Sequence, residues 1–224
     1  MSELPYPVIA VDGTAASGKS TFSRSLAERL SYVYINTGAM YRGVTWYLQQ
    51  RSVPLQDAAA VAHAITTLPL ETTVANSELA FRIAGIDPLP HTREAHVNEG
   101  VSLVAQVAEV RRILVAEQQK LAQDAPLVME GRDIGSVVFP QTPYKFYVDA
   151  SPDVRAIRRA KQGEADIITQ RDAIDSTRKT SPLIRLGDAV FIDSSHISVE
   201  DMVAGALRSL AERGLKTEAG EISG

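Results

Sequence analysis

Gly13-Thr14-Ala15-Ala16-Ser17-Gly18-Lys19-Ser20 is the stretch that decides the fold. It satisfies G-x-x-x-x-G-K-[ST] at every fixed position, and both flanks suit that motif. Before it, Val8 to Val11 is a short apolar run ending at Asp12-Gly13, the pattern of a buried strand feeding a tight turn. After it, Ser20 to Leu30 places Phe22, Leu26 and Leu30 on one stripe of a helix. The glycines and small residues let successive backbone N–H groups turn inward around a phosphate. The helix start adds its unpaired amides and the positive end of its dipole. Gly13, Thr14, Ala15, Ala16, Ser17, Gly18, Lys19, Ser20 and Thr21 are therefore expected to cradle nucleotide phosphates. Lys19 is expected to reach the β- and γ-phosphates, Ser20 to ligate Mg²⁺, and Thr21 to support the α-phosphate.

Outward from this loop the pattern repeats. Tyr32 to Ile35 is a second β-rich run, stopped by Asn36-Thr37-Gly38, and Ala39 to Gln49 reads as a helix. Strand, helix, strand, helix is the order of a parallel sheet covered by helices. Three more runs, 127–130, 145–149 and 189–193, complete five core strands. The expected fold class is α/β: a phosphate-loop three-layer α/β/α domain on a five-stranded parallel sheet, one domain over residues 1–224. Ser151-Pro152 and Ser198 start helices, each with a hydroxyl cap. The middle differs. An Ala-rich helix over 57–65 precedes a polar insertion with short strands at roughly 66–91, and 93–123 reads as two helices meeting near Gly100. The tail, 216–224, has few anchors and is expected to fray.

Composition removes several function classes. Lys and Arg total 23 against 27 for Asp and Glu, a net charge of −4, the wrong sign for a non-specific nucleic-acid binder. There are no cysteines, so thiol nucleophiles, disulfides and cysteine-held metals are all excluded. No apolar run reaches the roughly 18 residues of a membrane helix. The first seven residues carry no leader pattern, and a soluble cytoplasmic protein is expected. His91 and His96 lack metal-ligand spacing, and Trp46, on a helix, is read as core packing.

Neither Asn-Lys-x-Asp nor Asp-x-x-Gly, the strings of a regulatory GTPase, occurs in the chain. A small-molecule phosphotransferase fits best, and it needs a second subsite holding an anionic acceptor in line with the γ-phosphoryl. Ligands of open parallel sheets bind beyond the strand ends. Thr37, Gly38, Tyr41 and Arg42 follow one strand, and Gly131-Arg132-Asp133-Ile134-Gly135 follows another. Arg42 and Arg132 can clamp one phosphate, since the guanidinium fork matches phosphate oxygens. From Arg155 to Arg178 six basic residues face four acidic ones, with Gly163 as a break, the composition of a lid that carries positive charge to the phosphates.

The whole set resembles the bacterial-type cytidylate kinases, the (d)CMP kinases among nucleoside monophosphate kinases. The resemblance rests on Asp12 to Ser20, Thr37-Gly38-Ala39-Met40-Tyr41-Arg42, and Gly131 to Pro140. It continues through Ser102 with Val110-Arg111, Arg171-Asp172, Asp175-Ser176-Thr177-Arg178 and Ser181-Pro182-Leu183, in family order over nearly the whole chain. It implies transfer of the γ-phosphoryl of Mg²⁺-ATP to CMP or dCMP by a monomer that binds neither nucleic acid nor membrane. It implies a monophosphate-binding insertion at 66–95 and a mobile lid at 155–180. By resemblance, Thr37, Tyr41, Arg42 and Arg132 surround CMP and its phosphate. Ser102, Arg111 and Asp133 read the cytosine edge, and Asp175 and Arg178 face the sugar. Arg158, Arg171 and Arg178 are expected near the transferring group. The chain departs from the family at Thr14 (commonly Pro), Ala16 (Gly), Asn36 and Glu130 (Asp), and Ile174 (basic). A kinase for another small anionic acceptor, or an ATP-binding module without turnover, are the alternatives.

Overall fold

A computed structural model describes residues 4–161 and 181–216. Its strands are β1 (Val8–Gly13), β2 (Val33–Asn36), β3 (Leu70–Ala75), β4 (Glu78–Ile83), β5 (Leu127–Gly131), β6 (Lys145–Asp149) and β7 (Val190–Asp193). The helices are α1 (Lys19–Leu30), α2 (Thr37–Gln50), α3 (Ala58–Ala64), α4 (Ala95–Val104), α5 (Ala108–Leu121), α6 (Pro152–Lys161) and α7 (Val199–Glu212). A π-helical turn covers Ile134–Val138.

All six residues of β1 are buried, which is why its apolar run is continuous rather than alternating. β1 lies between β5 and β6, with Ala10 opposite Met129 on one side and Lys145 on the other. β2 flanks β5, and β7 flanks β6 with Phe146 opposite Val190. These five strands are parallel and are the five expected from sequence. Successive side chains leave opposite faces. Val8, Ala10, Val33 and Ile35 pack with Met40, Val44 and Leu48 of α2 and Leu114 of α5. Ile9, Val11, Val128 and Val148 pack on the other face with Phe22 and Leu26 of α1 and Met202 and Leu207 of α7. Phe22 meets Phe146 edge-on, centroids 5.9 Å apart. Full burial of side chains of this size contributes about 1.5–3 kcal/mol each, so the two apolar layers clamp the sheet.

The sheet is wider than expected. β3 and β4 form an antiparallel hairpin that joins the β2 edge, giving the order β3-β4-β2-β5-β1-β6-β7 and a mixed seven-stranded sheet. Asn76 and Ser77 both take positive φ at its turn, the geometry that matches strand twist in a two-residue hairpin loop. The join to β2 is a single register pair, Tyr34 with Glu78, supported by Tyr34 N–H donating to the Ser77 carbonyl at 2.9 Å.

The break between α4 and α5 falls at residues 105–107 and not near Gly100, which lies inside α4. Gly100 serves close packing instead: a Cβ there would stand 2.5 Å from Leu55 Cδ1 and 3.1 Å from Thr45 Cγ2. Trp46 is buried on α2 and stacks on His91 at 4.8 Å. Among the described residues no helix is long and apolar enough to cross a membrane, and no cluster of three His, Asp or Glu can hold a metal.

Candidate active site

The phosphate loop is held by an internal bond and by outside side chains that occupy its carbonyls and hydroxyls. Thr14 Oγ1 donates to Asp149 Oδ1 at 2.5 Å, and Ser17 Oγ to the Thr14 carbonyl at 3.0 Å. Ser194 Oγ donates to the Ser17 carbonyl at 2.5 Å, and Arg155 Nη1 to the Ala15 carbonyl at 3.3 Å. Thr14 thus gains a hydrogen bond to β6 that a proline could not make. Gly13 is required by contact, because a Cβ would lie 2.0 Å from the Val148 carbonyl oxygen. Gly18 precedes α1 at φ +86°. Ala16 adopts φ +58°, where an L-residue is strained by about 1–2 kcal/mol.

Lys19 and Ser20, at the start of α1, face the ends of β2 and β5 across a cavity of about 150 Å³. Thr37, Tyr41 and Arg42 enter from α2, Ser102 from α4, Arg111 from α5, and Arg132 and Asp133 from the segment after β5. Nine residues expected from sequence to form the phosphate and acceptor sites therefore line one cavity. Arg132 bridges its two sides by donating to the Gly13 carbonyl. Arg111 and Asp133 form a buried ion pair, and the Arg111 guanidinium also lies 5.6 Å from the Tyr41 ring. Lys19 Nζ donates to the Thr14 carbonyl at 3.0 Å.

Arg158 does not line this cavity. Its guanidinium donates to Ser194 Oγ at 2.9 Å and to the Ser194 carbonyl at 2.7 Å, beside Gly18. Arg171, Asp175 and Arg178, together with Ile174, most of the expected lid and nearly all of the tail, lie outside the described residues.

Two buried carboxylates close the strand ends. Asp12 ends the apolar part of β1 and accepts the Ile134 and Gly135 amides at 2.8 Å each, which pins the turn carrying Arg132 and Asp133. Burial raises its pKa to about 6, against the opposing pull of those amides and of Arg132. Glu130, on β5, is 2% exposed. It accepts from Ser20 Oγ at 2.9 Å through Oε2 and from the Tyr34 hydroxyl at 2.5 Å through Oε1. Burial, then the Glu130 charge, pushes the Tyr34 phenol far above its ordinary value. Thr37 Oγ1 donates to the Glu130 carbonyl at 2.7 Å.

Asn36 caps α2, accepting the Ala39 amide at 3.0 Å, which an uncharged side chain does as well as aspartate. Asp12 and Tyr34 were not singled out from sequence as site residues. The signal for Asp12 was a carboxylate ending a wholly apolar strand. Tyr34 gave none, because in sequence it is one more β-forming residue.

The donor set fits Mg²⁺. That ion commonly takes one or two protein oxygens, with water and substrate phosphates completing its shell. Ser20 and Glu130 present a hydroxyl and a carboxylate in contact at the cavity wall.

A glycine-rich loop between the first strand and first helix of a parallel sheet, open to a cavity rich in arginine, defines a phosphate-loop nucleotide-binding protein of the small-kinase class. Comparison narrows this class: the family model for cytidylate kinase matches residues 9–212, and the chain belongs to that family. It is 39% identical over 209 residues to a cytidylate kinase of Desulforamulus reducens, covering 88% of this chain and 94% of the relative. To a cytidylate kinase of Nocardia farcinica it is 40% identical over 225 residues, covering 95% and 97%. Among solved structures, a gluconokinase from Sinorhizobium meliloti matches at 14% identity over 95% of each chain, with a TM-score of 0.49.

Proposed function

We propose that the chain phosphorylates CMP and dCMP with Mg²⁺-ATP, giving CDP or dCDP and ADP, with the residues of the cavity in the following roles. The donor triphosphate lies over the amides of Gly13 to Thr21, with Lys19 against its β- and γ-phosphates. The acceptor phosphate sits between Arg42 and Arg132, whose forks hold and orient its oxygens. Ser102, Arg111 and Asp133 receive the base. A carboxylate there accepts from the cytosine amino group, which uracil lacks. Thr37 and Tyr41 complete the wall around CMP.

One acceptor oxygen attacks the γ-phosphorus in line, the bond to the β,γ-bridging oxygen breaks, and ADP leaves with that electron pair. The acceptor is already largely ionised near neutral pH, so no protein base has to remove a proton. Lys19 and Arg132 align the two phosphates and offset their mutual repulsion. Ser20 and Glu130 would hold Mg²⁺, which supplies charge neutralisation on the donor phosphates. Arg158, Arg171 and Arg178 add positive charge from the lid, and Asp175 and Arg178 meet the sugar. The working unit is a cytoplasmic monomer that does not bind nucleic acid.

The observation that carries this reading is that Lys19 and Arg132, the organisers of two anion sites, line one cavity. The test is ADP release from Mg²⁺-ATP over a panel of CMP, dCMP, UMP, AMP, GMP and shikimate. CMP and dCMP should be the strongest acceptors. A panel led by another acceptor would overturn the substrate assignment, and folded protein releasing no ADP with any of them would favour a binding module.

A further inference from the structure

Glu130 is a glutamate with three side-chain torsions, buried where its carboxylate must face Ser20 with one oxygen. We propose that Tyr34 is the positioning residue that fixes this orientation, so that Ser20 and Glu130 present a preformed oxygen pair to the Mg²⁺ of the bound nucleotide. This rests on the function proposed above and extends it to a residue outside the cavity wall.

Three contacts and one helix form a closed ring, with Asn36 bonded to it from the side. The Tyr34 hydroxyl donates to Glu130 Oε1 at 2.5 Å, and Ser20 donates to Oε2 at 2.9 Å, so each carboxylate oxygen has its own partner. Asn36 Nδ2 donates to the Tyr34 oxygen at 3.3 Å. The Tyr34 ring lies under Arg24, whose guanidinium carbon is 4.6 Å from the ring centroid. Arg24 stands four residues after Ser20 on α1, so both leave the same face of that helix, one turn apart. One helix thereby grips the tyrosine with Arg24 and meets the carboxylate with Ser20.

The ring is also tied to the edge hairpin. Arg24 pairs with Glu78 of β4, the residue in register with Tyr34. That exposed pair contributes little energy itself, but it covers the tyrosine on its outer side. Tyr34 therefore sits between a surface ion pair and the buried carboxylate, held at both ends. Partners that orient a metal-side ligand typically change affinity by about 10- to 100-fold when removed.

The test is Tyr34→Phe, which deletes the hydroxyl and keeps the ring under Arg24. Binding of a fluorescent ATP analogue is titrated in Mg²⁺ and again in EDTA, beside the Mg²⁺ dependence of CMP phosphorylation. The expected result is about tenfold weaker analogue binding in Mg²⁺, with binding in EDTA within twofold of the parent and KM for CMP unchanged. The Mg²⁺ concentration for half-maximal turnover should rise by a similar factor. Glu130→Gln in the same titrations should remove most of the Mg²⁺ effect, and adding Tyr34→Phe to it should cost little more. Equal losses with and without Mg²⁺ would make Tyr34 merely structural and overturn the proposal. So would an unchanged Mg²⁺ response, whatever happens to the melting temperature. The binding titration reads out even if CMP proves a poor acceptor, which separates failure of this proposal from failure of the substrate assignment.

Discussion

Asp12 and Glu130 end neighbouring strands one register step apart, both buried, yet their partners differ in kind. Asp12 is held by two backbone amides, Ile134 and Gly135. Glu130 is held by two side-chain hydroxyls, Ser20 and Tyr34, and lines the cavity. A carboxylate spent on amides fixes chain geometry, whereas one held by hydroxyls at a cavity wall keeps acceptor capacity for a ligand. The first builds the turn that presents Arg132 and Asp133, and the second faces the cavity.

The sharpest way to break this contrast is Glu130→Gln, which keeps size and removes charge. Turnover with CMP should fall about 100-fold with little change in melting temperature, as read by steady-state kinetics and thermal unfolding. A large stability loss with modest kinetic change would place Glu130 with Asp12 as scaffold. Asp12→Ala should do the opposite by freeing the turn. KM for CMP should rise about tenfold, as an orientation effect of this size allows, while turnover at saturating CMP changes less.

Asp12 should also leave a mark on stability against pH. Its folded pKa, about 6, lies above the ordinary carboxyl value of 3.8, so the folded state holds the proton more tightly. Its stabilising contribution is complete below about pH 4 and is lost as pH rises to about 6, a change of roughly 3 kcal/mol. Urea unfolding of Asp12→Asn should lack this decline, and identical slopes in both proteins would refute the assignment. The smallest effect concerns the phosphate loop. Ala16→Gly should relieve the φ +58° conformation, offset by greater freedom of the unfolded chain, for a net gain of about 0.5–1 kcal/mol in urea unfolding.

What could be read from sequence follows from how local each signal is. The phosphate loop carries its own punctuation, and its flanking strand is apolar because both sheet faces are covered. β2, β5 and β6 were legible for the same reason, whereas β7, at the sheet edge with Phe191 exposed, was legible only as a short β-rich run. The hairpin β3–β4 was legible as short strands but not as part of the sheet, since its register to β2 is a single pair and the alternating Leu79, Phe81 and Ile83 would suit a hairpin packed on any apolar surface. Gly100 misled because a glycine admitting a neighbouring side chain looks like one that ends a helix. In the site, residues beside glycines at strand ends, such as Arg132 and Asp133, could be found. Tyr34 could not, because its role depends on Glu130, 96 positions away in the chain.

The one-pair seam between β2 and β4 has a consequence for how such a molecule can change over generations. The exposed positions of β3 can be recast while the five parallel strands stay as they are, whereas Leu79, Phe81 and Ile83 of β4 belong to an apolar layer and are held by it. Variation on that outer strand changes the edge of the sheet without touching the cavity wall, to which residues 70–83 contribute no lining side chain among the described residues. The tether between Arg24 and Glu78 marks where that freedom stops.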